Sequence, residues 1–283
     1  MITKEGALSG RSVIVSGGGT GIGRACAAML AADGAAVTIC GRTEANLIDA
    51  APRIEAVAAH GGSVRFLVAD MTVEEDVARV VAEARALDGD LHGFVANAGG
   101  GSNPAPFHLQ DTAEFLRVLH GNVLSTFLCI KHAVAPMVAA GGGSFVSISS
   151  IAAVQAYRFY GAYPAAKAGV DHLMRNAANE YGPAGVRFNA VRPGYTLSEL
   201  NLEFVPPESP PGRSWIENTP LNGAATPDDI ADLVHFLIGP RSRWITGQAI
   251  SVDGGNTLRS GADFTEVLEP VYGKDALLAR QQA

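Results

Sequence analysis

Charge and cysteine are both scarce in this chain of 283 residues, and each shortage argues against a class of function. Charged residues make up only 17%, the net charge is −7, and no stretch gathers lysines and arginines. That argues against a nucleic-acid surface, so an anionic ligand must be met by local groups such as helix N-termini. No apolar run approaches the roughly 20 residues that cross a bilayer, so no membrane partner is expected. The opening Met-Ile-Thr-Lys-Glu-Gly lacks the apolar core of a signal peptide, and a cytoplasmic location is expected. Cys26, Cys40 and Cys129 are odd in number, widely spaced and set in apolar segments, and they read as buried thiols. None of the seven histidines forms His-x-x-x-His or pairs with a cysteine cluster, so no metal site is expected. Repeats and low-complexity tracts are also absent.

What the chain does have is apolar content, at 47%, and 33 glycines clustered at turns. Short apolar runs at 11–16, 36–40, 63–69, 92–96, 143–149, 186–191 and 249–252 read as strands. Between them, 21–32, 44–59, 73–86, 160–181 and 227–237 read as helices. The stretch 112–140 reads as two helices meeting near Gly121. This alternation predicts an α/β fold with a parallel sheet covered on both faces and ligands at the carboxyl ends of the strands. The expected organisation is one doubly wound Rossmann domain over 1–255 and a tail over 256–283, with a helix predicted at 274–281. Residues 194–223, rich in proline and apolar side chains, are expected to form a mobile flap over a pocket.

Tyr163 and Lys167, in Tyr-Pro-Ala-Ala-Lys, stand four apart and share one face of a predicted helix. An ammonium beside a phenol favours the phenolate, so Lys167 is expected to lower the Tyr163 pKa toward neutrality. Ser150 lies thirteen residues upstream of Tyr163. Tyr157 and Tyr160 lack a lysine at that spacing, and Ser147 and Ser149 sit in the wrong phase. Near the N-terminus, Ser16-Gly17-x-x-x-Gly21-x-Gly23 departs from the generic Gly-x-Gly-x-x-Gly spacing. It can still make a sharp turn that leaves a helix N-terminus facing a pyrophosphate.

From about Leu8 to about Asn256 the chain resembles a short-chain dehydrogenase/reductase of the Tyr-x-x-x-Lys type. The motifs that carry the resemblance are the glycine turn, Asp70, Asn97-Ala98-Gly99, Asn122, Ser150, Tyr163 with Lys167, Pro193-Gly194 and the ending Ile245 to Gly255. The resemblance implies a cofactor cradle of Ser16, Gly17, Gly19, Thr20, Gly21, Ile22 and Gly23. Asp70 and the Met71 backbone are implied to hold adenine, Asn97 to stabilise the sheet, and Ala98 and Gly99 to pass the ribose. Thr196 and Ser198, after Pro193-Gly194, are implied at the nicotinamide end. Ser150 is implied to bind the substrate oxygen and Tyr163 to carry the proton. Lys167 is implied to hold the nicotinamide ribose, and Asn122 a water of the proton relay. A homotetramer is also implied, with the tail covering a neighbouring subunit's pocket.

Cofactor choice rests on the end of the second strand, where Gly41 and Arg42 stand in place of the carboxylate that accepts from ribose hydroxyls. That favours NADP(H) over NAD(H), with Arg42 pairing with a 2′-phosphate. The expected reaction is hydride transfer between nicotinamide and a carbonyl or secondary alcohol, on a hydrophobic or acyl-type small-molecule substrate. The expected pocket is lined by Val154, Tyr157, Phe159, Tyr195, Leu197, Leu200, Leu202 and Phe204, with Trp215 and Trp244 as packing residues and Arg158 as a surface or subunit-contact group. A second reading is reduction of a carbon–carbon double bond in an enoyl or dienoyl thioester. A third is a redox sensor or scaffold that binds nucleotide without turnover. The intact set Ser150, Tyr163 and Lys167 speaks against it.

Overall fold

A computed structural model describes residues 6–259 and 264–280. Seven parallel strands form one sheet in the order β3-β2-β1-β4-β5-β6-β7. They are β1 Ser12–Ser16, β2 Ala36–Gly41, β3 Ser63–Val68, β4 Leu91–Ala96, β5 Gly143–Ile148, β6 Val186–Pro193 and β7 Ala249–Val252. All run one way, so the loops at their carboxyl ends share one edge. The crevice lies where the order reverses, between β1 and β4. The helices α1 Gly21–Ala32, α2 Glu44–Glu55, α3 Glu74–Asp88, α4 Thr112–Leu119, α5 Ser125–Ala139 and α6 Ala162–Tyr181 alternate with the strands, as the sequence predicts.

Two cores form, one on each face of the sheet. Cys26, Leu30, Leu47, Ile54, Ile230 and Val234 bury one face. On the other, Val77, Cys129, Ala133, Met174 and three aligned aromatics are buried. Phe94, Phe145 and Phe188 occupy matched register on β4, β5 and β6, with ring centroids 5.1 and 5.4 Å apart. This cross-strand stack is the kind of pairing that fixes register in a sheet. The three cysteines are buried, and burial pushes the Cys40 thiol up to about 12.

The stretch predicted as two helices meeting near Gly121 is joined by a π-turn at His120–Leu124. With that turn it spans Thr112–Ala139, 28 residues, long and apolar enough to cross a membrane by length and composition. Half of its most apolar window is buried within the fold, as for a core helix of a globular protein.

The segment 194–223 is more regular than its prolines suggest. It contains α7 Glu199–Phe204 and α8 Pro210–Glu217, each capped by a serine, Ser198 and Ser209. Pro210 and Pro211 open α8, where a missing N–H removes no internal bond. After α9 Pro227–Ile238 and β7, the tail forms α10 Thr265–Tyr272 and α11 Lys274–Leu277. The predicted helix at 274–281 is therefore shorter than expected and preceded by another; its predicted end, Gln281, lies outside the described residues. The described tail packs on its own chain, against Trp215 and Phe159.

Candidate active site

Tyr163 is the second residue of α6, one turn before Lys167, with Pro164 harmlessly in the first turn. Ser150 follows β5 and caps a short 3-10 turn, its Oγ accepting from the Ala152 N–H at 3.1 Å. The Ser150 hydroxyl lies near enough to the Tyr163 phenol to pull its pKa down. Lys167 is buried, donates from Nζ to the Ile148 carbonyl at 2.7 Å and lies 5.5 Å from the Tyr163 ring centroid. The rejected serines play structural parts: Ser149 Oγ donates to the Lys167 carbonyl, and Ser147 Oγ to that of Ala96.

The expected lowering of the Tyr163 pKa is not what the site shows. Burial pushes the phenol above its ordinary value, the neighbouring Tyr160 adds to the rise, and the Ser150 hydroxyl opposes it. Burial also lowers Lys167, to about 8, against the pull of Asp171. Desolvation thus outweighs the attraction that spacing alone suggested. A phenol held in its acid form is well suited to giving a proton to a developing alkoxide.

Asn122 lies inside the π-turn. From there Asn122 Nδ2 donates to the Val118 carbonyl at 2.8 Å and to the Gly100 carbonyl at 3.0 Å. Its Oδ1 is buried with no partner. A Cβ added at Gly99 would lie 2.6 Å from that oxygen and 3.6 Å from Lys167 Nζ, so Gly99, Asn122 and Lys167 converge.

The glycine turn is tightly constrained. Gly17 and Gly21 have positive φ, and a Cβ at Gly23 would stand 2.2 Å from the Gly17 carbonyl oxygen. Ser16 Oγ accepts from the N–H groups of Asn97 and Ala98, and Asn97 Nδ2 donates to the Gly17 carbonyl. Ser16 and Asn97 thus pin the turn to β4 from beneath. Gly19, Thr20 and Ile22 complete it, Thr20 standing as the residue before α1.

Glu199, which the sequence reading missed, sits on this turn. Its Oε2 accepts from the Gly21 N–H at 2.9 Å, and its Oε1 pairs with Arg24 at 2.5 Å. Only the fold brings a residue 178 positions away to that place. A carboxylate here marks the α1 N-terminus as an anion site. Together with the close-approach glycines and the orphaned Asn122 oxygen, it shows that these residues fit a nicotinamide dinucleotide.

The other expected cofactor residues are spread along the same edge. Asp70 follows β3, and its Oδ1 accepts from both the N–H and the hydroxyl of Thr72. The Met71 side chain is buried against the sulfurs of Cys40 and Cys129, which leaves only its backbone for a ligand. Arg42 is exposed and has no ion pair or hydrogen-bond partner among the described residues. A Cβ at Gly41 would meet only Leu47, at 3.8 Å. Pro193 ends β6, and Gly194 lies against Asp253. Thr196 bridges to Ala225, and Ser198 packs beside Gly21.

On the substrate side, Tyr157 and Tyr195 are buried, and Trp215 stacks on Tyr195 with centroids 5.4 Å apart. Val154, Leu200, Leu202 and Phe204 are exposed instead of lining a closed wall. Arg158 donates to Thr265 Oγ1 at 2.8 Å and lies over the Phe159 ring. Trp244, expected to pack, is 90% exposed.

Comparison with known proteins agrees with this geometry. The family described as Enoyl-(Acyl carrier protein) reductase matches residues 17–257. The chain is 36% identical to the cis-4-hydroxycyclohexanecarboxylate dehydrogenase of Sinomonas cyclohexanicum, over 89% of this chain and 98% of that protein. A short-chain type dehydrogenase/reductase from Mycobacterium ulcerans superposes with a TM-score of 0.92 at 43% identity, covering 96% of this chain and 98% of that one. A 7α-hydroxysteroid dehydrogenase complexed with NADH and 7-oxo glycochenodeoxycholic acid superposes with a TM-score of 0.84 at 30% identity, over 90% and 98% of the two chains.

Proposed function

The chain belongs to the short-chain dehydrogenase/reductase family and acts on CH–OH groups with a nicotinamide cofactor, and we propose that it uses NADP(H) on a hydrophobic or acyl-type ketone or secondary alcohol. The convergence of Ser150, Tyr163 and buried Lys167 at the carboxyl end of β5 carries the reading. The bound nicotinamide supplies or accepts the hydride.

Ser150 Oγ orients the substrate oxygen toward the phenol. In reduction the Tyr163 O–H gives its proton to the oxygen as negative charge develops there; in oxidation the phenolate takes it back. The Lys167 ammonium holds the cofactor ribose and refills the phenol. The unpartnered Oδ1 of Asn122 accepts from a water in line with Lys167, which opens a route for the proton to solvent. Preference for NADP(H) is supported by the free Arg42 guanidinium and by the absence of a carboxylate at Gly41.

The test is to follow nicotinamide absorbance with a panel of ketones, enones and alcohols. Wild type is expected to turn over ketones and alcohols. Tyr163→Phe is expected to bind the nucleotide and lose at least about a hundredfold in kcat, the usual range for a general acid. Undiminished turnover in that variant would overturn the assignment. The description of the matching family favours reduction of an activated carbon–carbon double bond as the second reading. Turnover of enones without ketones would select it. We also propose a homo-oligomer, a tetramer, supported by exposed Leu116, Phe127 and Trp244. Its test is the mass in solution.

A further inference from the structure

Phe264 is 5% exposed, although it belongs to the tail beyond the last strand. It lies in a continuous group of aromatic rings that begins at the proton-carrying phenol. Tyr163 and Tyr160 have centroids 5.4 Å apart; Tyr160 and Phe264 stack at 5.9 Å; Phe264 meets Trp215 edge-on at 5.8 Å. Trp215 in turn contacts Tyr157 at 5.7 Å and Tyr195 at 5.4 Å. Three segments distant in sequence contribute: the run from the loop after β5 into the start of α6, the flap and the tail. Phe264 is the ring that joins Tyr160 on one side to Trp215 on the other.

Polar contacts hold the tail at this place from both sides. Gln155 Nε2 donates to the Arg259 carbonyl at 2.7 Å, and Arg158 donates to Thr265 Oγ1, which ties the tail to the loop after β5. Arg259 Nη1 donates to the Glu217 carbonyl at 3.1 Å, and buried Asn256 donates to the Trp215 carbonyl at 3.3 Å, which ties it to the flap. Tyr160 is fixed as well. Its hydroxyl accepts from the Ser102 N–H and would lie 2.6 Å from a Cβ at Gly101, so the ring cannot swing toward the β4 loop.

On the reading above, in which Tyr163 protonates a carbonyl oxygen, we propose that the tail is the outer wall of the substrate chamber and that Phe264 determines its size. The favoured substrates are compact, uncharged carbon-ring ketones and their secondary alcohols. Aromatic faces bury flat apolar carbon well. A ring also loses fewer rotors on binding than an open chain of the same mass. The nearby cations are engaged: Arg158 with Thr265, and Arg117 with Glu114 and the Gly101 carbonyl. That disfavours a charged substrate.

The experiment measures kcat/KM with NADPH for cyclohexanone, 1-decalone and 2-octanone, using wild type, Phe264→Ala and Phe264→Leu. Nucleotide affinity and Tm are recorded alongside. Wild type is expected to prefer cyclohexanone. Phe264→Ala is expected to raise the decalone-to-cyclohexanone ratio by about tenfold, the scale of a few carbons in an apolar pocket. Phe264→Leu, which keeps the burial but not the ring, should fall between and serves if the alanine variant does not fold. Nucleotide affinity should not change. An unchanged ratio in both variants overturns the proposal, as does a change in ratio that accompanies lost nucleotide affinity. Turnover of 2-octanone but of neither ring ketone overturns it while leaving the oxidoreductase reading intact. No turnover of any ketone or alcohol removes both.

Discussion

The glycine turn before α1 and the aromatic group around Trp215 are specified by opposite means. The turn is a backbone device, in which Gly17, Gly21 and Gly23 matter because they have no side chain. The aromatic group is a side-chain device, assembled from rings whose own backbones are ordinary loop and helix. A device made by removing atoms has little room to vary, whereas one made by packing atoms can be resized ring by ring. Nucleotide recognition is therefore expected to be brittle and substrate recognition adjustable.

The sharpest way to break this contrast is Gly23→Ala. The added Cβ has only 2.2 Å to the Gly17 carbonyl oxygen, so the turn must open. Calorimetric titration is expected to show loss of both NADPH and NADH binding. By contrast, Trp215→Ala should leave both affinities intact and raise KM for the substrate. Retained nucleotide binding in Gly23→Ala would show that the turn is softer than its geometry implies.

A smaller effect is expected at the edge of the nucleotide half. Arg42→Ala should weaken NADPH by about 1.5–3 kcal/mol, roughly tenfold to a hundredfold, and leave NADH nearly unchanged. Gly41→Asp should move preference the other way, since the site has space for a carboxylate. Equal losses for both nucleotides in Arg42→Ala would remove the argument for NADP(H).

The mildest test is pH. The Tyr163 pKa is raised by burial, so the acid form persists further into alkaline pH. Ketone reduction, which uses the O–H, should be sustained through neutral pH. Alcohol oxidation, which needs the phenolate, should climb as pH rises. Initial rates in both directions across the pH range check the sign; oxidation already at its plateau at neutral pH would contradict it.

The sheet was legible because seven short apolar runs, each closed by a turn, leave few other folds open. Ser150, Tyr163 and Lys167 were legible for a related reason: two sit on one helix face, and the third follows the strand beside it. What the sequence hid are properties of crowding. The direction of the Tyr163 shift depends on burial and on Tyr160, which spacing does not report. Glu199 reaches Gly21 only through the flap's path across the edge of the sheet. The flap helices were obscured by prolines that start α8 instead of breaking it. Phe264's place in the ring group was hidden because its ring partners, Tyr160 and Trp215, are remote in sequence.

The π-turn at His120–Leu124 has a bearing on how this chain can change over time. Each residue of an α-helix turns the ones after it by roughly 100°. Deleting a residue inside α5 would therefore rotate the rest of that helix and carry Leu128, Cys129 and Met137 off the side that buries them, whereas a deletion within the π-turn, which holds one residue more than an α-helical path needs, can be absorbed by the turn closing to α-helix. A one-residue loss is therefore expected to be survivable in the turn, at the cost of Asn122's placement, and not in the helix that follows.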